Sequence, residues 1–154
     1  MNKIEITQAT MSNLDELMAW RMEVLHEVFD IPYNTDVSEL RNANLEYYHR
    51  ALPIGSHIAC FALYGGKKVG CGGICLQEEM PSPDNPSGKC AYLMNIYVRP
   101  PFRLLHIGTA IVEWLIKDVR RKGADKIYLE TSEAGRGMYR HLNFQDMKDL
   151  MILK

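Results

Sequence analysis

Apolar and polar positions along this chain change period several times, and each change marks an element. Residues 4–7 alternate as a short strand. Leu14, Leu17, Met18, Leu25, Val28 and Phe29 then recur at helical spacing, with Ser12 and Asp15 as a capping pair and Pro32 as the stop. Asp36 and Glu39 open a second helix carrying Val37, Leu40, Ala43 and Tyr47, which Pro53 and Gly55 close. Residues 57–63 are strand-like, Gly65 and Gly66 form a hairpin turn, and residues 69–76 return. Glycines at 70, 72 and 73 predict a bulge or a close backbone approach there. Residues 78–89, with three prolines and a glycine, read as a loop.

The second half begins with a nearly unbroken apolar run at 90–98, expected of a central strand covered on both faces. Ile107, Ala110, Ile111, Trp114, Leu115 and Val119 form the buried stripe of a helix that Gly123 ends. A parallel-type strand at 126–130, a short helix at 137–142 and a final strand at 145–153 complete the pattern. The expectation is one domain over residues 1–154, of mixed α/β (α+β) class, with helices on both faces of the sheet.

The junction between the apolar strand and the helix carries the clearest chemistry. Arg99-Pro100-Pro101-Phe102-Arg103-Leu104-Leu105-His106-Ile107-Gly108-Thr109 is a sharp stop followed by a basic turn that enters a helix. Unpaired backbone N–H groups at such a helix start hold phosphate well. Arg103 adds charge and a fork of donors in the same place.

Composition narrows the functional classes. The 154 residues are 47% hydrophobic, an ordinary globular proportion. Lys and Arg number 18 against 19 Asp and Glu, a balance that argues against a nonspecific nucleic-acid surface. No segment approaches a membrane span, and the first residues lack the apolar run of a signal peptide, so the expected location is cytoplasmic. Cys60, Cys71, Cys75 and Cys90 lie in or beside strand-like runs, as buried thiols would. Cys71 and Cys75 complete no zinc pattern, and no metal is expected.

Residues 90–144 resemble the GCN5-related N-acetyltransferase (GNAT) superfamily, and the element order extends the likeness over nearly the whole chain. The family's pyrophosphate loop has a basic residue and two spaced glycines at the helix start. Here these positions are Arg103, His106 and Gly108, with His106 replacing the first glycine. The second motif, a strand and turn followed by a helix ending Gly-Phe, corresponds to Ile127-Tyr128-Leu129-Glu130, then Met138-Tyr139 and Asn143-Phe144. The resemblance implies a twisted, mostly antiparallel sheet and acetyl-CoA as the acyl donor. It implies that the pantetheine arm pairs with the backbone of Ile96, Tyr97 and Val98. It further implies that the N–H groups of Leu104, Leu105, His106, Ile107, Gly108 and Thr109 cradle the pyrophosphate beside Arg103. Tyr139 matches the tyrosine that protonates the leaving thiolate, and Ser132 stands where many relatives have an asparagine near the cofactor.

The expected function is therefore transfer of acetyl from acetyl-CoA to an amine by direct attack. The alternative is a non-catalytic acyl-CoA-binding or regulatory module on the same fold. The general base is open between solvated carboxylates and a water held by Tyr92 and Asn95. Residues 1–50 contain nine acidic and four basic side chains. With Glu23 and Glu27 on one helix face and Glu78 and Glu79 after a strand, an acidic cleft for a small cationic amine is the expectation. The expected partner is a small-molecule amine, with a homodimer left open and no nucleic-acid or membrane partner.

Overall fold

The computed structural model describes residues 2–154. Its elements are β1 (Ile4–Ala9), α1 (Leu14–Val28), α2 (Ser38–Ile54), β2 (His57–Tyr64), β3 (Lys67–Glu78), β4 (Lys89–Val98), α3 (Ile107–Arg121), β5 (Lys126–Leu129) and α4 (Glu133–His141). The strands lie in the order β1-β2-β3-β4-β5. Every neighbouring pair is antiparallel except β4 and β5, which are parallel across the α3 crossover. This is the expected mixed, mostly antiparallel sheet.

Alternation along the strands builds two cores. Ile58, Cys60 and Ala62 of β2 pack with Ile107, Ile111, Leu115 and Val119 of α3. Ala59 and Phe61 point the other way, onto Leu17, Met18, Trp20 and Val24 of α1 and Tyr48 of α2. All four thiols are free; Cys60, Cys71 and Cys90 are buried and Cys75 is half-buried. Among the described residues, no helix is long and apolar enough to cross a membrane.

Local chemistry sets the boundaries. A short 3₁₀ turn, Met11–Asn13, precedes α1, and the Asn13 side chain accepts from the Thr10 amide at 3.0 Å. The cap therefore falls on Thr10 and Asn13 rather than on Ser12 and Asp15. Asp36 does open α2, accepting from the Ser38 amide at 3.0 Å. Gly55, at φ +75°, ends it in the left-handed conformation. Helix α4 begins at Glu133, before the expected residue 137, because the Ser132 side chain caps it by accepting from the Gly135 amide.

Two features of β4 position the cleft. Its register against β3 slips between the Cys71–Tyr97 and Gly73–Met94 pairs, so β4 carries one extra residue opposite Gly72. That residue is Asn95, at φ +60°. The bulge reverses side-chain parity: Ala91 and Leu93 face α3 before it, and Ile96 and Val98 face α3 after it. A Cβ on Gly72 would collide with Ile111, so the glycine lets α3 lie close to the bulge. A second slip places an extra residue in β3 at Val69. The other feature is that β4 and β5 pair only as far as Leu93 and Leu129, after which the strands separate.

The expected final strand at 145–153 does not form. Residues 145–154 carry no strand or helix, and Leu150, Met151, Ile152 and Leu153 are exposed. A strand needs a ladder partner, and the outer edge of β5 receives none in the sheet. The segment is tied instead to α4, where Asp146 pairs with Arg136 at 2.6 Å and Arg140 at 3.4 Å.

Candidate active site

Where β4 and β5 part, a cleft of about 880 Å³ opens. Its walls come from β4 (Tyr92, Asn95, Ile96, Tyr97, Val98), the loop into α3, the carboxyl end of β5 (Glu130) and α4 (Met138, Tyr139). Arg21 of α1 closes it from the opposite face of the sheet.

The loop into α3 has the geometry of an anion site. After a 3₁₀ turn at Pro100–Phe102, Leu104 and His106 both adopt φ +64°. His106 thus holds the left-handed conformation for which glycine is the usual residue, with its side chain exposed. Among the described residues, none of the amides of Leu104, Leu105, His106, Ile107, Gly108 and Thr109 has an acceptor; the first amide to find one is Ala110, bonding to the His106 carbonyl at 3.1 Å. A run of free N–H groups with left-handed residues interleaved forms an anion-binding concavity, reinforced by the positive end of α3. All of these residues line the cleft except Leu105. Arg103 folds back over β4: its Nε donates to the Val98 carbonyl at 2.8 Å and its guanidinium lies 5.8 Å from the Tyr97 ring centre. Gly108 admits Met138, whose sulfur would stand 3.0 Å from a Cβ at that position.

Ile96, Tyr97 and Val98 lie on the stretch of β4 beyond its pairing with β5. Their backbone on that side is free to pair with an extended ligand. Tyr97 turns its own ring into the α1 core, where burial and then Glu23 push its phenol up to about 12. Tyr139 is 8% exposed, packs edge-on against Phe144 at 5.6 Å and borders the cleft. Burial raises its pKa, so the phenol stays protonated. No hydrogen bond holds its hydroxyl among the described residues. Ser132 lines the cleft, and its hydroxyl oxygen accepts from the Gly135 amide at 3.4 Å in capping α4.

None of Glu23, Glu27, Glu78 and Glu79 lines this cleft. Glu23 is gripped by Arg99 through hydrogen bonds of 2.9 and 3.0 Å; burial opposes ionisation most, but the Arg99 hydrogen bonds, the Tyr97 hydroxyl and the Arg99 charge together lower its pKa. Glu27 accepts from the Tyr33 hydroxyl at 2.7 Å. Glu78 pairs in register with Lys89 at the start of β4, the end opposite the anion loop. Glu79 lies beside it, 3.3 Å from Lys126.

Two residues in the cleft were not anticipated from the sequence. Glu130 follows β5 and shares the face of Tyr92 and Tyr128, whose rings are 5.0 Å apart; burial, followed by Glu130, pushes the Tyr92 phenol up to about 12. Arg21 had a legible signal. It interrupts the apolar stripe of α1 between the buried Leu17 and Val24, spaced four and three residues away.

A sheet splayed between two parallel strands, over a donor-rich helix start, is the architecture shared with acetyltransferase structures. The acetyltransferase (GNAT) family model matches residues 14–144, and the chain belongs to that family. No curated protein matches it. Among solved structures, it is similar to a predicted acetyltransferase with acetyl-CoA from Clostridium acetobutylicum, at 22% identity over 99% of this chain and 96% of that one, with a TM-score of 0.86. A GCN5-related N-acetyltransferase from Ralstonia eutropha JMP134 is 19% identical over 99% of both chains, with a TM-score of 0.81. The aminoglycoside N-acetyltransferase AAC(6')-Iy, in complex with CoA, is 15% identical over 100% of this chain and 95% of that one, with a TM-score of 0.76. At these identities the likenesses establish the fold.

Proposed function

We propose that this protein is an acetyl-CoA-dependent N-acetyltransferase acting on a small-molecule amine. The observation that carries the reading is the uninterrupted run of acceptor-free amides from residue 104 to 109, opening on the same cleft as the splayed strand β4 and Tyr139. These amides, the α3 dipole and Arg103 suit a pyrophosphate. The unpaired edge of β4 suits the amide-bearing arm that follows it.

When bound, acetyl-CoA supplies a thioester whose acetyl carbon forms the new C–N bond as the C–S bond breaks. The Tyr139 hydroxyl gives its proton to the departing sulfur. Glu130, on the acceptor side of the sheet, takes the proton that the nitrogen gives up. The N–H of Ile96 or Tyr97, on the stretch of β4 beyond its pairing with β5, polarises the acetyl carbonyl. The cleft itself offers no cluster of carboxylates for a polycation, because Glu23, Glu27, Glu78 and Glu79 are engaged or distant.

Calorimetric titration with acetyl-CoA, followed by a thiol-release assay over an amine panel, tests the reading. Binding with release is expected. Folded protein that fails to bind millimolar acetyl-CoA would sink it. Binding without release from any amine would favour a non-catalytic coenzyme-binding module.

A further inference from the structure

Arg21 is a partly buried cation facing the acceptor side of the cleft, and among the described residues no carboxylate pairs with it. Its Nε donates to the Asn44 side-chain carbonyl at 2.8 Å and its Nη1 to that of Asn95 at 2.9 Å. These neutral amides orient the guanidinium without cancelling its charge, and Nη2 has no acceptor among the described residues. The titratable groups around it are Tyr47, Tyr48, Cys71, Cys75 and His57. Burial disfavours the charged form of each, so they remain neutral near pH 7. A desolvated, unpaired guanidinium is costly and is well matched to a planar carboxylate. Nothing about bonding Asn44 and Asn95 requires the positive charge.

Position narrows the ligand. Asn95 is the bulge residue of β4, so the guanidinium stands one side chain away from the point where the strand opens toward the anion loop. Glu130 borders the same cleft and provides the only carboxylate among its lining residues. Besides the anion loop, the cleft thus presents a second cation, Arg21, and one carboxylate, Glu130, around the strand opening.

We propose that the acceptor is a small amine carrying a carboxylate close to its nitrogen, an amino-acid-like zwitterion whose carboxylate is held by Arg21. This rests on the acetyl-transfer reading of the cleft and replaces a purely cationic acceptor with a zwitterionic one. The amine is acetylated while the carboxylate remains unchanged, so the product is an N-acetylated acid.

The test compares thiol release with paired acceptors, each an amino acid and the amine lacking its carboxylate, for wild type, Arg21→Gln and Arg21→Lys. Wild type should prefer the carboxylated partner by about tenfold or more in kcat/KM, the scale of one charge-assisted contact. Arg21→Gln should raise KM for that partner and abolish the preference, costing the carboxylated partner at least about tenfold more than the bare amine; Arg21→Lys should restore part of it. Acetyl-CoA isotherms on the same proteins should be unchanged. A wild type that binds acetyl-CoA yet favours bare amines overturns the proposal, as does an Arg21→Gln variant that slows both partners equally; the acetyltransferase reading survives either result. Failure to bind acetyl-CoA overturns both. If acetyl-CoA binds but no amine releases thiol, titration of the CoA-loaded protein with N-acetylated amino acids decides, and absence of binding overturns the proposal. Should Arg21→Gln not fold, the wild-type preference decides alone.

Discussion

The Tyr47 hydroxyl lies 2.8 Å from Nδ1 of His57 and 2.9 Å from the Cys75 sulfur, while Nε2 of His57 has no partner among the described residues. This links helix α2 to strands β2 and β3. Burial, with a smaller contribution from Arg21, pushes the His57 pKa down to about 4.

His57 therefore makes the fold acid-sensitive. In the unfolded chain it binds a proton near pH 6.5, whereas in the folded chain it does so only near 4. Its contribution is fully present above pH 6.5 and is lost as pH falls through this window. Lowering the pH from 7 to 5 should cost about 2 kcal/mol through this residue. His57→Phe, which keeps an aromatic ring beside Tyr47 and Tyr48, should flatten that part of the profile. Urea unfolding at pH 7 and 5 measures it, and an equal slope in both proteins would discard the assignment.

His106→Gly should stabilise the protein by about 0.5–1 kcal/mol, because a left-handed backbone is strained for any residue with a Cβ. Its exposed ring has no hydrogen bond to lose among the described residues. Acetyl-CoA affinity should stay within twofold, roughly, since the donors are backbone amides. Thermal melts and calorimetry read the two effects, and a lowered melting temperature would show that the ring contributes packing.

Tyr139→Phe should lower turnover by about tenfold to a thousandfold while leaving coenzyme affinity intact. The phenol raised by burial also implies no alkaline loss of activity from its own ionisation near its ordinary pKa of about 10. Single-turnover kinetics separate chemistry from release, and unchanged chemistry would remove the proton-donor role.

Arg103→Ala should weaken acetyl-CoA binding by about 1–2 kcal/mol, less at high salt, because the side chain is exposed and screened. Wild type and variant dissociation constants should converge as salt is raised. A constant that does not move at low salt would show that the backbone concavity alone holds the phosphates.

The sequence by itself determined most of the elements and marked the loop into α3. Apolar periodicity placed β2, β3, β4 and α3, because each buries one stripe or face that composition alone can mark. The stop at Pro100 and Pro101 before Arg103 and Gly108 marked the donor-rich helix start, since proline ends a strand locally wherever it stands. Residues 145–153 misled for the same reason: their pattern suits a strand, but a strand exists only where another edge pairs with it, and Asp146 is held by Arg136 and Arg140 instead. The charge of the cleft was decided by tertiary structure alone. Glu23 and Glu27 share a helix with Arg21, and only packing engages the two carboxylates with Arg99 and Tyr33 while the guanidinium faces inward. The bulge at Asn95 likewise depends on pairing between β3 and β4, and it puts the Asn95 side-chain carbonyl where Arg21 donates to it at 2.9 Å.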